Sequence, residues 1–335
     1  MTGITKAMID LSLKADIFSV EDEYSFQINA LKIYKYQVRH NPVYRQYHSF
    51  LGVNPESVTE LHGIPFLPIE VYKEQRVIVD GADPALVFRS SNTTGSSPSS
   101  HLVAEPSLYI KSILRGFEYF FGSPTDYVFL ALLPSYIERN DASLIYMMDQ
   151  LMKASGHPLN GFYLHHEGAL LDAIRTLKQS GQKFILWGVS FALLDLANEM
   201  EINLTGNIVV ETGGMKGRDK EWIKEELHDF LKTRFHLPAI HSEYGMTELL
   251  SQAYSLDGNM YRSVPWMKVM IRDMYDPWAG VLPGQTGCIN VIDLANIYSC
   301  SFIATQDVGR MHTDGFFEVL GRVDHSDLRG CSLMI

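Results

Sequence analysis

The sequence predicts an α/β fold centred on a mainly parallel sheet, followed by a β-rich segment. Three observations carry that prediction. Short apolar runs alternate with helix-length segments between Asp126 and Gly245, the pattern of right-handed βαβ crossovers. The run "DYVFLALLP" (126–134) is apolar from Tyr127 onwards, as in a strand covered on both faces. Beyond about residue 255, apolar runs separated by turns remain and the helical spacing disappears. The 335 residues, 46% hydrophobic and 20% charged, suffice to bury a large core.

The elements follow in order. Residues 22–50 read as one or two helices, with Phe26, Leu31, Ile33, Tyr34 and Val38 at helical spacing and Asn41-Pro42 as the interruption. "GIPFLPIEVYK" holds Pro65 and Pro68 in an apolar stretch and reads as an extended crossing segment. Leu86 to Phe88 form a short strand that runs into "SSNTTGSSPSSH", and a helix over 106–121 starts at Pro106. Helices are expected over 143–154, 168–179 and about 190–200, with strands over 183–188 and 207–212. A helix from Glu221 to about Phe235 has Asp219 as candidate N-cap, and "PAIHSEYG" is a short strand entering a loop. "GCINVIDL", "SFIATQD" and "GFFEVLGR" are the late strands. The expected organisation is an N-terminal helical segment 1–60, an α/β core 61–255, a β-rich subdomain 256–324 and a tail 325–335.

Composition excludes several functions. A net charge of −11 argues against general nucleic-acid binding, which needs a basic footprint. Three cysteines, Cys288, Cys300 and Cys331, form neither an even disulfide framework nor a C-x-x-C pair, so a reducing cytoplasm is expected. No apolar run reaches about 18 residues, so no membrane span is expected. The N-terminus, broken by Lys6, Asp10, Lys14 and Asp16, does not read as a signal peptide.

The hydroxyl-rich loop Ser90 to His101 reads in two ways. It is a surface linker, or a strand-to-helix junction whose hydroxyls and N–H groups surround an anion. It is not a Walker A loop, because Gly95 lacks the second glycine and the lysine. Other segments favour the anion. "RSSNTTGSSPSSH" resembles the phosphate loop of the adenylate-forming superfamily, "HSEYGMTE" its Y-G-x-T-E motif, and "TQDVGRMHTDGFFEVLGRVD" its later aspartate, D-G and G-R block. "ETGGMK" (211–216) resembles the Gly-rich segment beside the adenine. The blocks occur in the family's order, over about residues 60–335.

That resemblance implies the large N-terminal domain of an adenylate-forming enzyme, without the mobile C-terminal domain, since the sequence stops soon after Asp324. It implies ATP and Mg²⁺. Ser90, Ser91, Thr93, Thr94 and Gly95 would hold the β- and γ-phosphates, Thr247 the α-phosphate and Glu248 the metal, a hard ion suited to carboxylate and phosphate oxygens. Gly213, Gly214 and Tyr244 with Gly245 would flank the adenine, Asp307 would take the ribose hydroxyls, and Arg322 would reach ribose or phosphate. The loop departs from the pattern at Asn92, and Ser100 and His101 stand where a lysine is expected. The short ending and "IPFLPIEVYK" resemble the acyl-protein synthetases of fatty acid reductase complexes. This implies acyl-AMP formation from a fatty acid, transfer to a cysteine, here Cys331 in "LRGCSLMI", and an acyl reductase partner. Arg329 beside that thiol would favour the thiolate.

Three other functions stay open at this point: an acyl- or aryl-CoA ligase, a non-catalytic nucleotide-binding scaffold, and a hydrolase or acyltransferase. The last rests on "WGVSFA", which approximates the nucleophile elbow with Ser190, and on downstream histidines including His228. "LHHEG" (164–168) has poor metal-ligand spacing and reads mainly as surface. Acyl chain length and oligomeric state are not encoded in any motif.

Overall fold

The computed structural model describes residues 13–14, 17–91, 97–134, 139–213 and 222–323. The chain divides into two compact units: residues Met1–Val87, Ser99–Glu105 and Pro265–Ile335 in one, Phe88–Pro98 and Pro106–Val264 in the other. Its strands, in chain order, are β1 (Leu67–Pro68), β2 (Leu86–Arg89), β3 (Ser100–Val103), β4 (Val128–Leu132), β5 (Gly161–Phe162), β6 (Phe184–Val189), β7 (Ile208–Thr212), β8 (His241–Tyr244), β9 (Ala253–Ser255), β10 (Arg262–Ser263), β11 (Met267–Arg272), β12 (Thr286–Asp293), β13 (Phe302–Met311) and β14 (Phe317–Arg322).

The second unit holds the predicted parallel sheet, in the order β10-β9-β8-β7-β6-β4-β5. β5, β4, β6, β7 and β8 run parallel, β9 pairs antiparallel with β8, and β10 pairs antiparallel with β9. Every residue of β4 is buried, which explains its unbroken apolar sequence. The crossover helices are Ser143–Ser155, Glu167–Ser180, Ser190–Glu199 and Lys224–Phe235, close to the predicted spans. Two of them end on left-handed glycines, Gly156 and Gly181. Their apolar faces pack on the strands, with Leu170, Ile174, Leu193, Leu227, Leu231 and Phe235 meeting Leu130, Leu186 and Val209. The last helix starts at Lys224; Asp219 and Glu221 lie outside the described residues.

In the first unit, β14, β13, β12 and β11 form an antiparallel sheet, and β1 adds to β13 in parallel. The segment "GIPFLPIEVYK" makes that two-residue pairing and then one helical turn, Val71–Glu74, so Pro68 sits at the sheet edge. Residues 22–50 form two helices, Glu23–His40 and Pro42–Leu51. The first begins with a capping box between Asp22 and Ser25, and Asn41 caps the second. β3 was not expected from the sequence, and its first two residues, Ser100 and His101, fall in the hydroxyl-rich loop. Among the described residues no helix is long and apolar enough to cross a membrane.

Gln37, fully buried on the first helix, ties that helix to the connection between β12 and β13. Its Nε2 donates to Asn296 O and Ile297 O, both at 3.0 Å, and its Oε1 accepts from Ser301 N at 3.0 Å. Replacing it leaves those backbone groups buried and unpaired. Gln37→Ala is expected to lower stability by about 2–3 kcal/mol, read as an earlier urea-unfolding midpoint of this unit. An unchanged midpoint would show that water or a rearrangement replaces the amide.

Candidate functional site

Ligands of open α/β sheets gather at the carboxyl ends of the strands. In the second unit β7 and β8 are parallel neighbours, and their carboxyl ends carry the predicted nucleotide residues. Glu211 lies opposite Ser242 and Thr212 opposite Glu243. β7 leaves the sheet through Gly213, exposed and at φ 81, a backbone state that glycine adopts without penalty. β8 ends at Tyr244, whose buried ring meets Tyr261 edge-on at 6.0 Å, and Gly245 follows. Thr247 is half-buried and Glu248 buried in the turn after it. The structure therefore brings Gly213, Tyr244, Gly245, Thr247 and Glu248 to adjacent strand ends of one unit.

A polar network that sequence reading missed lies under these turns. Glu211 is 3% exposed. Its carboxylate accepts from Ser190 Oγ and from Ser242 Oγ at 3.1 Å, pairs with Lys224 Nζ at 3.1 Å, and has His228 Nε2 at 3.8 Å. Burial pushes its pKa up, but Lys224 and the hydrogen bonds of His228 and Ser190 outweigh burial and hold it at about 2. Glu243, one strand away, has no such cation. Burial lifts it to about 7, against the hydrogen bond that Thr212 Oγ1 donates to it, and the Glu211 charge adds to the rise. Lys224 also donates to Tyr261. No sequence motif announces this set, because its members are polar residues scattered over helices and strands.

In the first unit Asp307 and Arg322 face each other across β13 and β14, and Arg322 Nε donates to Asp307 Oδ1 at 2.8 Å. Asp307 is buried and Arg322 half-exposed. A bulge sets this aspartate. Cys288 pairs with Val308 and Asn290 with Ala304, so β13 carries extra residues around 305–307. Thr305 Oγ1 takes over the lost ladder contacts, donating to Ile289 O at 2.8 Å and accepting from Asp307 N at 3.0 Å.

Other predicted residues are placed as follows. Ser90 is half-buried and Ser91 exposed at the end of β2. Thr93, Thr94, Gly95, Gly214 and Cys331, with Asn92, lie outside the described residues. Ser100 and His101, which stand where the resemblance expects a lysine, lie on β3, and His101 is fully buried with Nε2 at 2.9 Å from Asn296 Oδ1. The Ser190 nucleophile is corrected. Ser190 is 1% exposed, opens the helix after β6, and its hydroxyl is engaged by the Glu211 carboxylate and Gly213 O, not by an imidazole. His228 faces Ser242 instead, at 3.3 Å. His165 and His166 are exposed. Among the described residues no group of three or more His, Cys, Asp or Glu is arranged to hold a metal by itself.

No protein-family model matches the chain, and no curated protein matches it. Solved structures do. The chain is similar to 2-hydroxyisobutyryl-CoA ligase in the postadenylation state with 2-HIB-AMP, with a TM-score of 0.68 at 13% identity, covering 90% of this chain and 68% of that one. It is similar to ATP-bound MatB from Rhodopseudomonas palustris, with a TM-score of 0.56 at 18% identity, covering 73% of this chain and 49% of that one. The chain thus spans about half the length of the MatB structure. These neighbours are adenylate-forming enzymes, and the chain shares their mixed α/β fold with its parallel sheet.

The carboxyl network has a pH signature. Glu243 rises from an ordinary 4.5 to about 7 in the folded chain, so the folded state holds a proton that the unfolded state has lost in that window. Its contribution is complete below about 4.5 and is lost as pH rises through about 7. Glu243→Gln keeps an acceptor for Thr212 without the titration. Between pH 5 and 8 the parent chain should lose on the order of 2 kcal/mol relative to this variant, measured by urea unfolding at each pH. Parallel curves would show that Glu243 is ionised throughout.

Proposed function

We propose that the chain activates a carboxylic acid with ATP and passes the acyl group to its own Cys331, for a partner acyl reductase in the cytoplasm. The observation that carries the adenylation reading is the pair of glycine turns, Gly213 and Tyr244-Gly245, at neighbouring parallel strand ends, in a fold shared with a ligase captured holding an acyl-adenylate. In the reaction, a carboxylate oxygen attacks the α-phosphorus of ATP, the bond to the bridging oxygen breaks, and pyrophosphate leaves. Two anions meet there, so hydrogen-bond donors and a cation must offset the repulsion. Thr247 would donate to the α-phosphate, Ser90 and Ser91 with Thr93, Thr94 and Gly95 to the outer phosphates, and Gly213, Gly214 and Tyr244 would hold the adenine. Asp307 would accept from the ribose hydroxyls, oriented by Arg322. Mg²⁺, when bound, would supply positive charge to the phosphates. The buried Glu248 carboxylate fits such an ion, which keeps one or two protein carboxylates and takes its other oxygens from phosphate and water.

The Cys331 thiolate would then attack the acyl carbon, and AMP would leave with the electron pair of the broken anhydride bond. A second reading, direct transfer to coenzyme A, has support in the likeness to 2-hydroxyisobutyryl-CoA ligase in complex with 2-HIB-AMP and CoA, at a TM-score of 0.66 and 13% identity.

Carboxylate-dependent exchange of labelled pyrophosphate into ATP tests the first step. Fatty or aryl acids should support it, and Glu248→Gln should reduce it about 100-fold. Absence of exchange with every acid, with the reductase supplied, would reject adenylation. Cys331→Ser should keep the exchange and lose the hydroxylamine-sensitive acyl label. A label that survives this change would move the acceptor elsewhere, and release of acyl-CoA by the variant would favour the second reading.

A further inference from the structure

A cavity of ≈ 310 Å³ lies wholly within the first unit, on a sheet face built from Arg272, Cys288, Asn290, Ala304 and Gln306. Strand register explains the grouping. Arg272 is opposite Cys288 and Asn290 opposite Ala304, while residues two apart on a strand share a face. The remaining walls are mainly apolar, among them Phe66 from the segment before β1 and Met274 and Trp278 from the β11–β12 connection.

Two polar atoms in this apolar setting lack partners. Arg272 Nη2 donates to Thr305 O at 3.2 Å, but Nη1 is buried with no acceptor. Asn290 is 5% exposed and its Oδ1 has no donor. Glu70 also lines the cavity and accepts from Gln306 Nε2 at 2.6 Å; among the described residues no carboxylate forms an ion pair with Arg272. A buried guanidinium nitrogen without an acceptor is costly, and an anion removes that cost. Asn290 stands diagonally across from Arg272 on the neighbouring strand, within reach of one small head group.

We propose that this cavity binds a small carboxylate with an apolar body, at a site separate from the nucleotide residues. The carboxylate accepts a charge-assisted hydrogen bond from Arg272 Nη1. A half-turn of the Asn290 amide exchanges its oxygen and nitrogen and presents a second donor. The apolar body lies against Phe66, Met274 and Trp278. The volume is at the small end of ligand pockets, which limits the ligand to a short chain or a single ring. Gln306 and Val323 line the cavity, whereas Asp307 and Arg322, which make the ion pair, are not among its lining residues.

Trp278 reports on the site. Octanoate titrated into the full chain without ATP should give a saturable change in tryptophan emission that Trp278→Phe abolishes. Arg272→Met and Asn290→Asp should each weaken octanoate binding at least roughly tenfold by calorimetry, the first by removing the donor and the second by adding a like charge. Octanol should bind the parent chain and Arg272→Met alike, and Glu248→Gln should bind octanoate like the parent. The proposal is overturned if octanoate produces no saturable Trp278 signal. It is also overturned if Arg272→Met and Asn290→Asp, folded by their thermal transitions, bind as the parent does, or if Glu248→Gln loses the binding.

Discussion

The carboxylate of Glu211 is the constraint on which the site end of the second unit depends. A charge so nearly excluded from water is tolerable only when it is paired and fully hydrogen-bonded. Here Ser190 comes from the helix after β6, Ser242 from β8, and Lys224 and His228 from the last crossover helix. Satisfying one carboxylate therefore fixes the positions of three elements around the end of β7. The same charge sets the state of its neighbour. Burial and the Glu211 charge raise the pKa of Glu243, and the Thr212 hydroxyl and the more distant charge of Lys224 only partly offset them. Two buried carboxyl groups on adjacent strands thus stay compatible because one is ionised and the other has its pKa pushed up to about 7.

This arrangement gives the glycine turns a packing reason. A Cβ on Gly245 would overlap Glu243 Oε1, so the carboxyl group that receives the Thr212 hydroxyl occupies the space a side chain would need. Ser190 also donates to Gly213 O at 3.3 Å, tying the turn after β7 to the helix after β6. The serine at a strand-to-helix junction, which has the local sequence of a nucleophile elbow, acts here as a brace. The imidazole needed to take its proton is turned towards Ser242. Sequence proximity to a motif and the hydrogen-bond partner of the hydroxyl give different answers, and the partner decides the chemistry.

Much of the parallel sheet was legible because its strands are buried on both faces, so "VFLAL" and "FILWGV" stand out as apolar runs between amphipathic helices. The helix break at Asn41-Pro42 was legible for a local reason, the cap and the missing proline N–H. β3 was not legible. Its four residues follow a run of serines, and His101 looks polar until Asn296, nearly two hundred residues away, is seen to satisfy it. The Glu211 network and the Arg272 cavity were hidden for the same reason. Each is assembled from single polar residues whose spacing in the chain has no period. The order of Tyr244, Gly245, Thr247, Glu248, Asp307 and Arg322 was readable, but what holds them was not.

β13 shows how one strand serves two chemistries. In a regular ladder, the residues between Ala304 and Val308 would each have a partner on β12, and Thr305 would spend its backbone on the pairing. The register slip removes those partners. Thr305 then divides its groups: the hydroxyl bridges Ile289 O and Asp307 N, and the carbonyl accepts from Arg272. The first contact sets the backbone from which Asp307 reaches Arg322. The second anchors the guanidinium of Arg272, a residue that lines the cavity. A valine at 305 would break the first contact while sparing the second, because the second uses only the backbone. The bulge is therefore a shared support, with the Asp307–Arg322 pair depending on the Thr305 side chain and the cavity depending on its main chain.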